Sequence, residues 1–389
     1  MNIVLRVAGR GEGVTDDGRH IAFAAPGDTV TDDGFVTPGP HHATPPCRHF
    51  PECGGCQLQH LDDASWSDFL GDRISYALAA QGLETEVRVP SLSPPRTRRR
   101  ASLHFDPAGR LGFSIEKSHQ LVDLTECHVL APELFALLRP LKRLLLSFRA
   151  KRRLDLQLTI ADQGVDVLVT GVAPEGLAAH EAITAFAQGH GVARIAFDEG
   201  YGAETRWEPD AATMTLGQVP VPLPPGAFLQ ATREGEAALV AAVREAVGDT
   251  RVAADLFSGL GTFALALPGR VYAAEGNRDA ILALKAGAGR AQRAVFADHR
   301  DLYRRPLTVA ELDRFDAIVL DPPRAGAREQ AEALAACAVP RIAYVSCNPS
   351  SFARDAKMLC EGGYRLDWVQ PVGQFRWSTH VELAARFSR

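Results

Sequence analysis

The spacing of hydrophobic and polar positions changes character along the chain. Residues 1–40 contain short apolar runs separated by Gly- and Asp-rich turns, which predicts a set of small β-strands. Apolar residues at helical spacing predict an amphipathic helix over about 64–82. Residues 86–215 mix strand-like runs with a predicted helix over 134–148. From Phe228 onward, helices and buried strands alternate around Gly-rich turns, which is typical of a parallel α/β sheet.

Two proline-rich stretches, 38–46 and 220–225, have the composition of linkers. They divide the chain into a short β-rich segment over 1–44, a central α+β domain over 45–222 and a C-terminal α/β domain over 223–389. The shortness of the first segment argues against independent stability.

A glycine turn opens the C-terminal α/β region. A buried strand over 252–257 runs into Ser258-Gly259-Leu260-Gly261-Thr262-Phe263, and residues 264–267 are predicted to begin a helix. A strand, a tight turn and a helix start bring backbone close to a nucleotide. Acidic residues mark three successive strands here, which favours S-adenosylmethionine (SAM) over NAD. These are Asp255 near the methionine end, Glu275 for the ribose hydroxyls and Asp298 for the adenine amine.

Two further buried strands end in reactive side chains. The run 315–320 leads to Asp321-Pro322-Pro323-Arg324, and 342–345 leads to Ser346-Cys347-Asn348-Pro349. Ligands of doubly wound sheets gather outside the carboxyl ends of the strands, so Cys347 is a candidate nucleophile. Methylation of uracil carbon 5 needs a thiolate that adds to carbon 6 and a base that removes the carbon 5 proton. Glu382 is the candidate base. The alternative is that Glu382 is an ordinary strand residue that faces solvent.

The motifs 321–326, 345–349 and 380–382 together resemble the RNA uracil-5 methyltransferases, as does Phe228-Leu229-Gln230-Ala231-Thr232. The resemblance runs from about residue 45 to the end and implies a Rossmann-like SAM domain, Cys347 as nucleophile and Glu382 as base. The proline motif holds neither the cysteine of cytosine-5 enzymes nor the aromatic residue of amine-methylating enzymes, which favours uracil. Together with the glycine turn, the predicted SAM-site residues are Gln230, Asp255, Phe257, Gly259, Gly261, Thr262, Glu275, Asp298 and Asp321. Thr232 and Thr262 depart from the family, where Asn is usual.

Four cysteines form a candidate metal site. Cys47, Cys53 and Cys56 follow a C-x5-C-x2-C spacing, and Cys127 would supply a fourth thiolate. Four thiolates can hold zinc or a [4Fe-4S] cluster, but zinc ribbons usually use two C-x-x-C knuckles and one is present here. The resemblance implies the cluster, since bacterial ribosomal-RNA members carry this spacing and their transfer-RNA relatives generally lack it. Because methyl transfer has no redox step, we expect a structural or RNA-positioning role.

Charge and composition indicate which kinds of binding partner and cellular location to expect. The net charge is −5, yet residues 96–153 hold thirteen Lys and Arg against five Asp and Glu. This asymmetry indicates a local phosphate-binding face, with an ordinary solvated surface as the alternative. No apolar run is long enough for a membrane span, and the N-terminus lacks signal-peptide features. The odd number of cysteines, seven, argues against a disulfide framework, so we expect a cytoplasmic protein, as a monomer.

The sequence therefore predicts a SAM-dependent enzyme that forms 5-methyluridine in 23S ribosomal RNA. Three alternatives stay open at this point: a transfer-RNA T-loop uracil-5 methyltransferase, an iron-sulfur RNA-binding protein without catalysis, and an NAD-dependent enzyme. Longer members of the family begin with an RNA-binding TRAM β-barrel, and residues 1–44 resemble a truncated form of it.

Overall fold

The structure, a computed structural model, describes residues 1–116 and 118–389. Lys117, which belongs to the basic 96–153 region, lies outside the described residues. In chain order the strands are β1 Asn2–Val7, β2 Gly13–Thr15, β3 His20–Ile21, β4 Thr29–Val30, β5 Val36–Thr37, β6 Glu86–Val87, β7 Ser91–Leu92, β8 Arg100–Phe105, β9 Leu111–Gly112, β10 Leu154–Ala161, β11 Gly164–Thr170, β12 Val192–Asp198, β13 Glu204–Trp207, β14 Thr213–Leu216, β15 Val219–Pro222, β16 Val252–Leu256, β17 Arg270–Glu275, β18 Val295–His299, β19 Ala317–Leu320, β20 Arg341–Ser346, β21 Arg365–Gly373 and β22 Glu382–Ser388. The helices are α1 Asp63–Ala79, α2 Pro132–Ser147, α3 Leu177–Gly189, α4 Arg233–Val247, α5 Arg278–Arg290, α6 Val309–Leu312, α7 Arg328–Ala336 and α8 Pro349–Glu361.

The N-terminal strands form a five-stranded antiparallel sheet in the order β3-β2-β1-β4-β5. Its own core is small and consists of Val4, Ala24 and Val30. The buried carboxylate of Asp28 accepts hydrogen bonds from the backbone amides of Ala25 and Gly39, at 2.8 and 2.7 Å. The predicted short strands are confirmed, and the sheet is compatible with half of a β-barrel.

The central sheet has six strands in the order β13-β12-β11-β10-β8-β9. Its pairs are antiparallel except for β11 and β12, which α3 joins as a crossover helix. The apolar faces of α2 and α3 cover a core shared with β8, β10, β11 and β12. The predicted helix over 134–148 and the strands over 154–160 and 165–169 are confirmed.

The C-terminal part contains a nine-stranded sheet in the order β18-β17-β16-β19-β20-β22-β21-β6, with β7 also paired to β21. The strands from β18 to β20 are parallel, and β22 runs antiparallel between β20 and β21. Every residue of β19 is buried, as expected for a parallel strand covered on both faces. The predicted α/β class with a Rossmann-like C-terminal sheet is confirmed.

Chain direction along this sheet fixes where a ligand can bind. The connections run outward in one direction from β16 to β18, and in the other direction from β16 to β19 and β20. The reversal between β16 and β19 is a topological switch point, and ligands of such sheets bind outside the carboxyl ends of the strands there. The crevice is therefore flanked by the residues that follow Leu256 and Leu320.

Segments from earlier in the chain also pack into this sheet. Strands β6 and β7 pair in parallel with β21, and helix α1 buries Trp66, Phe69, Leu70 and Ile74 in the same core as α8. The hairpin of β14 and β15 packs on α5, where Val221 contacts Gly287. Residues 63–92 and 213–222 thus share a core with the residues that follow Leu223.

Two local predictions are wrong. Residues 220–225 are not simply a linker, because 219–222 form β15, whose Val219 and Val221 are buried while its prolines lie in a two-stranded ribbon. The predicted helix over 264–267 is a series of turns with helical bonds from Leu265 N to Gly261 O and from Leu267 N to Phe263 O, both 3.0 Å. The turns end at Pro268, which has no amide proton with which to continue.

Within the described residues, no helix combines the length and apolar character that a membrane crossing requires.

Candidate active site

Cys347 lies directly after β20 and just ahead of α8. Asn348 caps this helix by accepting a hydrogen bond from Ser350 N at 3.2 Å, and Pro349 occupies its first turn, so the chain turns sharply at the thiol. Cys347 is half-buried. Burial, followed by the charges of Glu382 and Asp321, raises the pKa of its thiol to about 11, while Arg324 acts in the opposite direction. The predicted nucleophile therefore lies within electrostatic reach of the predicted base.

The loop after β19 is bonded to the loop after β20. The carbonyl oxygen of Arg324 accepts hydrogen bonds from Asn348 Nδ2 and Ser351 Oγ, both at 3.0 Å. Further along, the buried carboxylate of Asp355 on α8 accepts from Ala327 N at 2.8 Å and from the hydroxyl of Tyr344 at 2.6 Å. These bonds hold the proline motif beside Cys347.

Glu382 is the first residue of β22, and its side chain is buried, with 6% of its surface exposed. The solvent-facing alternative is thereby excluded. The strand pairing places Leu383 opposite Ser346, so Glu382 lies next to the point where Cys347 leaves β20. Burial, followed by the charge of Asp321, raises the pKa of Glu382 to about 8, against the lowering effect of a hydrogen bond from Gln374.

Asp321 completes an acidic group at the switch point. It follows β19 and is half-buried. Desolvation, followed by the charge of Glu275, raises the pKa of Asp321 to about 7. A neighbouring cation or a donor to its oxygens would reverse this effect, so the pocket favours a positively charged ligand.

The glycine turn lies at the end of β16. Phe257 adopts a φ of 64°, and Gly259 and Gly261 have φ values of 53° and 93°, so three residues close together occupy the left-handed region. The backbone amide of Gly259 donates to Glu275 Oε2 at 2.9 Å, which ties the turn to the end of β17. The ring of Phe257 lies 5.4 Å from that of Tyr303. The predicted residues Phe257, Gly259, Gly261 and Glu275 are thus brought together.

Two buried polar atoms at this turn have no hydrogen-bond partner. Asp255 accepts from Ala264 N through Oδ2 at 2.8 Å, while its Oδ1 is unpaired, and Ser258 Oγ is also unpaired. Burial raises the pKa of Asp255 well above its usual value, with Asp321 and Glu275 adding to the effect. Buried polar atoms are normally paired. Unpaired oxygens beside a glycine turn fit a ligand that offers hydrogen-bond donors.

The remaining predicted SAM-site residues lie around this turn. Asp298 is on β18 and accepts a hydrogen bond from the hydroxyl of Tyr272 at 2.6 Å. Thr262 is half-buried within the turn. Gln230 is buried just before α4, and its Oε1 accepts from Gln374 Nε2 at 2.7 Å. Thr232 caps α4 by accepting from Gly235 N at 3.0 Å, a role for which its hydroxyl is as suitable as the amide of Asn.

The four predicted metal-site cysteines line one cavity, together with aromatic and apolar side chains and the polar residues Gln59, Arg98, Glu126 and His128. Burial raises the pKa of Cys53 to about 11 and of Cys56 to about 12, and each of these thiols is affected by the charge of Cys127. Within the described part of the chain, no group of three or more His, Cys, Asp or Glu is arranged to hold a metal ion. The structure thus brings the four predicted thiols to one cavity.

The cysteine loop contacts the segment between β21 and β22. The carbonyl oxygen of Trp377 accepts hydrogen bonds from the backbone amides of Gln57 and Leu58, at 2.8 and 2.9 Å. The indole of Trp66 donates to Ser378 O at 3.5 Å. The segment that leads into Glu382 is therefore anchored on residues that directly follow Cys56.

Comparison with known proteins identifies the chain. The family model for tRNA (uracil-5-)-methyltransferase matches residues 294–389, which include Cys347 and Glu382. An uncharacterized RNA methyltransferase of Zymomonas mobilis is 52% identical, with 100% of both chains covered. A 23S rRNA (uracil(1939)-C(5))-methyltransferase of Halomonas elongata is 31% identical, over 95% of this chain and 87% of that protein. The chain belongs to the RNA uracil-5 methyltransferase family.

A solved structure supports the fold of this RNA uracil-5 methyltransferase. The tRNA (uracil-54, C5)-methyltransferase of Pyrococcus abyssi, in complex with S-adenosyl-L-homocysteine, aligns with a TM-score of 0.77. The alignment covers 100% of this chain and 99% of that chain, at 24% sequence identity. The arrangement of sheets described above is therefore that of a known SAM-dependent methyltransferase fold.

Sequence reasoning missed two residues of the site. Gln374 contacts both Gln230 and Glu382, but it follows β21 in a stretch with no chemical signal of its own. The sequence pattern used Arg324 only as a non-aromatic residue of the proline motif, whereas its positive charge lowers the pKa of Cys347. Only the packing of β21 against β22, and of the loop after β19 against α8, brings these side chains to the site.

Proposed function

We propose that this enzyme methylates carbon 5 of a uracil in RNA, with SAM as the methyl-donating substrate and 23S ribosomal RNA as the acceptor. The observation that carries the proposal is the meeting of Cys347, Glu382 and Asp321 at neighbouring strand ends beside a glycine turn. A thiol, a buried carboxyl group and a nucleotide-type pocket are the three parts that the reaction requires.

The reaction follows from these groups. The Cys347 thiolate bonds to carbon 6 of a flipped uracil, and the electron pair displaced onto carbon 5 attacks the methyl group of SAM, releasing S-adenosylhomocysteine. Glu382 then removes the proton from carbon 5. The carbon 5–carbon 6 double bond re-forms as the bond between carbon 6 and Cys347 breaks, so the thiolate is regenerated and 5-methyluridine leaves.

The environment of Glu382 suits this role. A carboxylate in water is a weak base, whereas burial raises the pKa of Glu382 to about 8. The ideal pKa of a general base lies near the operating pH. The base is therefore strong enough to accept a carbon-bound proton once carbon 5 has been methylated.

The methyl donor is assigned to the glycine turn and the acids around it. The unpaired Asp255 Oδ1 and Ser258 Oγ could accept or donate hydrogen bonds to its polar groups. Glu275, at the carboxyl end of β17, is assigned to the ribose hydroxyls, and Asp298, on β18, to the adenine amine. The raised pKa of Asp321 indicates a place where a sulfonium charge would be stabilised by an acid.

RNA is assigned to the face that carries Cys347. Arg324, Arg73 and Arg98 each lower the pKa of His380, after the larger effect of desolvation, so positive charge converges near the crevice. Such convergence suits backbone phosphates on either side of a flipped base. The relative from Halomonas elongata supports ribosomal RNA as the acceptor.

We assign a [4Fe-4S] cluster to Cys47, Cys53, Cys56 and Cys127, with zinc as the less favoured occupant. The fit rests on the four thiols that line one cavity, beside the other potential ligands Gln59, Glu126 and His128. Since burial disfavours the thiolates of Cys47, Cys53 and Cys56, a positively charged group is needed to hold these three thiols deprotonated. When bound, the cluster would supply a cross-link between the cysteine loop and the segment around Cys127. No step of the methyl transfer passes through it.

A covalent-trapping gel tests the proposal. Anaerobically purified protein is mixed with SAM and 5-fluorouridine-substituted transcripts of 23S ribosomal RNA or transfer RNA. Fluorine cannot leave carbon 5 as a proton does, so an adduct with Cys347 should survive denaturation. A shifted band with ribosomal RNA alone, lost in Cys347→Ala, is the expected result. A band with transfer RNA alone would replace the proposed acceptor, and no band with either RNA would contradict the mechanism.

A further inference from the structure

Glu382 does not stand alone in its pocket, because the side chain of Gln374 faces it from the end of β21. Val372 is paired with Glu382 across the β21–β22 ladder, so Gln374 follows two residues beyond the pairing partner. Gln374 is almost fully buried, with 1% of its surface exposed. A buried side-chain amide must find partners for its oxygen and its nitrogen.

The partners of Gln374 fix the orientation of its amide. Its Oε1 accepts from the backbone amide of Ala231 at 2.8 Å, and a backbone N–H can only donate. Nε2 must therefore point the other way, where it donates to Gln230 Oε1 at 2.7 Å and also interacts with the carboxyl group of Glu382. One amide hydrogen is thus used by Gln230, and the other is left for Glu382, whose pKa Gln374 lowers.

The surrounding backbone leaves room for Gln374. A Cβ atom at Gly235, in the first turn of α4, would lie 2.6 Å from Gln374 Cβ, which is closer than real carbon contacts allow. The cap of α4 is formed by Thr232, whose Oγ1 is also bonded to Ser93 Oγ at 2.7 Å. The start of α4 is therefore packed directly against this glutamine.

We propose that Gln374 is a positioning residue for the general base: its amide holds the Glu382 carboxyl group at the end of β22 and ties it to the Gln230–Ala231 segment at the start of α4. This inference rests on the proposed function. It joins the base, which acts on the RNA, to a residue assigned to the methyl donor. The amide favours the ionised carboxylate, because an N–H donor bonds more strongly to an anion than to a neutral acid.

The titratable groups facing Glu382 are Asp321 from the loop after β19 and Cys347 from the loop after β20. On the β21 side the facing group is the neutral Gln374, and the start of α4 packs on Gln374 through Gly235. Gln374 is thus the polar neighbour that can stabilise the carboxylate without adding charge. Its loss leaves Glu382 with acidic neighbours and no compensating donor from β21.

Two variants separate positioning of the base from a purely structural role. Gln374→Met removes both the acceptor and the donor, while Gln374→Glu keeps an oxygen for Ala231 N–H but replaces the amide donor. Gln370→Met is the matched control, because Gln370 lies on β21, the strand that leads into Gln374, and its amide donates to the carbonyl oxygens of Val89 and Pro371. All are measured with natural-uridine RNA in single turnovers across pH, alongside melting temperature.

We expect both Gln374 variants to slow release of the methylated product by roughly tenfold near pH 7, part of the 10²–10⁴ that general-base catalysis supplies. The acid limb of the rate should move to higher pH, and the denaturation-resistant adduct with natural uridine should accumulate. Gln370→Met should match the wild type. Adduct formation with 5-fluorouridine RNA, which does not need the base, should stay within a few-fold of the wild type.

Full recovery of rate and acid limb in Gln374→Glu would overturn the proposal, since holding Ala231 would then suffice. An unchanged pH profile in both variants would overturn it as well. Should Gln374→Met fail to fold, the isosteric Gln374→Glu decides alone. If the wild-type protein itself forms no adduct with 5-fluorouridine RNA, the proposed function fails instead, and the two failures are thereby distinguished.

Discussion

At the level of single residues, the site depends on acids that the fold keeps from ionising easily. Glu382 and Asp321 carry pKa values raised to about 8 and about 7, chiefly because both are desolvated. Cys347 was predictable from the sequence, because a thiol after a buried strand points to the crevice. The burial of Glu382 was not, since the pattern of 379–383 is equally typical of an exposed strand.

The raised pKa of Glu382 predicts the pH dependence of turnover. Only the carboxylate can accept the carbon 5 proton, and its fraction falls about tenfold for each pH unit below the pKa. The rate of product release should therefore rise with pH up to about 8 and then level off. Single-turnover rates between pH 6 and 9 check this. A rate that is flat from pH 6 to 8 would contradict Glu382 as the base.

The same burial predicts a stability effect. Between the ordinary carboxyl value of 4.5 and about 8, the folded protein keeps a proton on Glu382 that the unfolded chain releases. Stability from this group is therefore lost as pH rises through that window. Glu382→Gln lacks this loss, so its melting temperature should exceed that of the wild type by a margin that widens by about 2 °C or more from pH 5 to 8.

Glu245 provides the control for this stability prediction. It is exposed on α4 and paired with Arg88, at 2.8 Å, and the hydrogen bond from Arg88 lowers its pKa. Glu245→Gln should therefore produce a small effect of opposite sign. A constant margin for Glu382→Gln across this pH range would show that the carboxyl group is not desolvated in solution.

At the level of elements, the glycine turn after β16 shows which parts of the pattern were informative. The strand and the turn were predictable from 252–263, because Gly259 and Gly261 stand where left-handed backbone is needed. The helix predicted after them was not formed, because the chain must reach β17 within a few residues and Pro268 stops further helical bonding. Distance between strands, which the local pattern does not encode, decided the outcome.

Gly261→Ala should destabilise the protein by about 2–4 kcal/mol and weaken SAM binding. The φ of 93° is strained for alanine, and its Cβ would lie 2.4 Å from Leu284 Cδ1. Chemical denaturation and SAM titration by calorimetry measure the two effects. The matched change Gly289→Ala, on the exposed face of α5 with open space around its Cβ, should instead stabilise by about 0.5–1 kcal/mol.

Equal stability of Gly261→Ala and Gly289→Ala would contradict the described turn. Normal SAM affinity in a folded Gly261→Ala protein would separate the turn from the methyl-donor site.

At the level of the whole molecule, the sequence predicted three regions of regular structure but not how they interlock. Strands β6 and β7 join the C-terminal sheet although they precede its first parallel strand by more than a hundred residues in the chain. Two-residue strands carry almost no pattern of their own. Their place is set by pairing with β21, a tertiary contact that no local window contains.

Cys127→Ala tests whether the cysteine cavity supports the whole molecule. We expect loss of bound iron and a fall in the free energy of unfolding of roughly 4 kcal/mol. This is the stabilisation that a ligand provides when its free concentration is about a thousand times its Kd. Hydrogen exchange should also increase at Trp377 and Ser378, since these residues are held by the loop that follows Cys56. Iron and sulfide analysis, thermal melts and hydrogen exchange provide the measurements.

Cys360→Ala is the control for this experiment, because Cys360 is half-buried on α8 and lies outside the cavity. It should retain iron and normal exchange in the segment between β21 and β22. Normal iron content in Cys127→Ala would remove this cysteine from the assigned cluster, and bound zinc without iron in the wild type would replace the cluster.

The antiparallel pairing of β20 with β22 gives the active site an uneven tolerance to insertions. Ser346 is opposite Leu383, so nucleophile and base are neighbours through one ladder rather than through the long excursion that joins them in the chain. That excursion contains α8, β21 and Gln374, which pack against the ladder, so only its exposed turns can gain or lose residues without altering the spacing of Cys347 and Glu382. One residue inserted inside β22 would turn Glu382 to the opposite face, and two would restore the face but displace it by about 6.8 Å. Insertions in exposed turns are therefore tolerated, whereas the number of residues in β22 must stay constant.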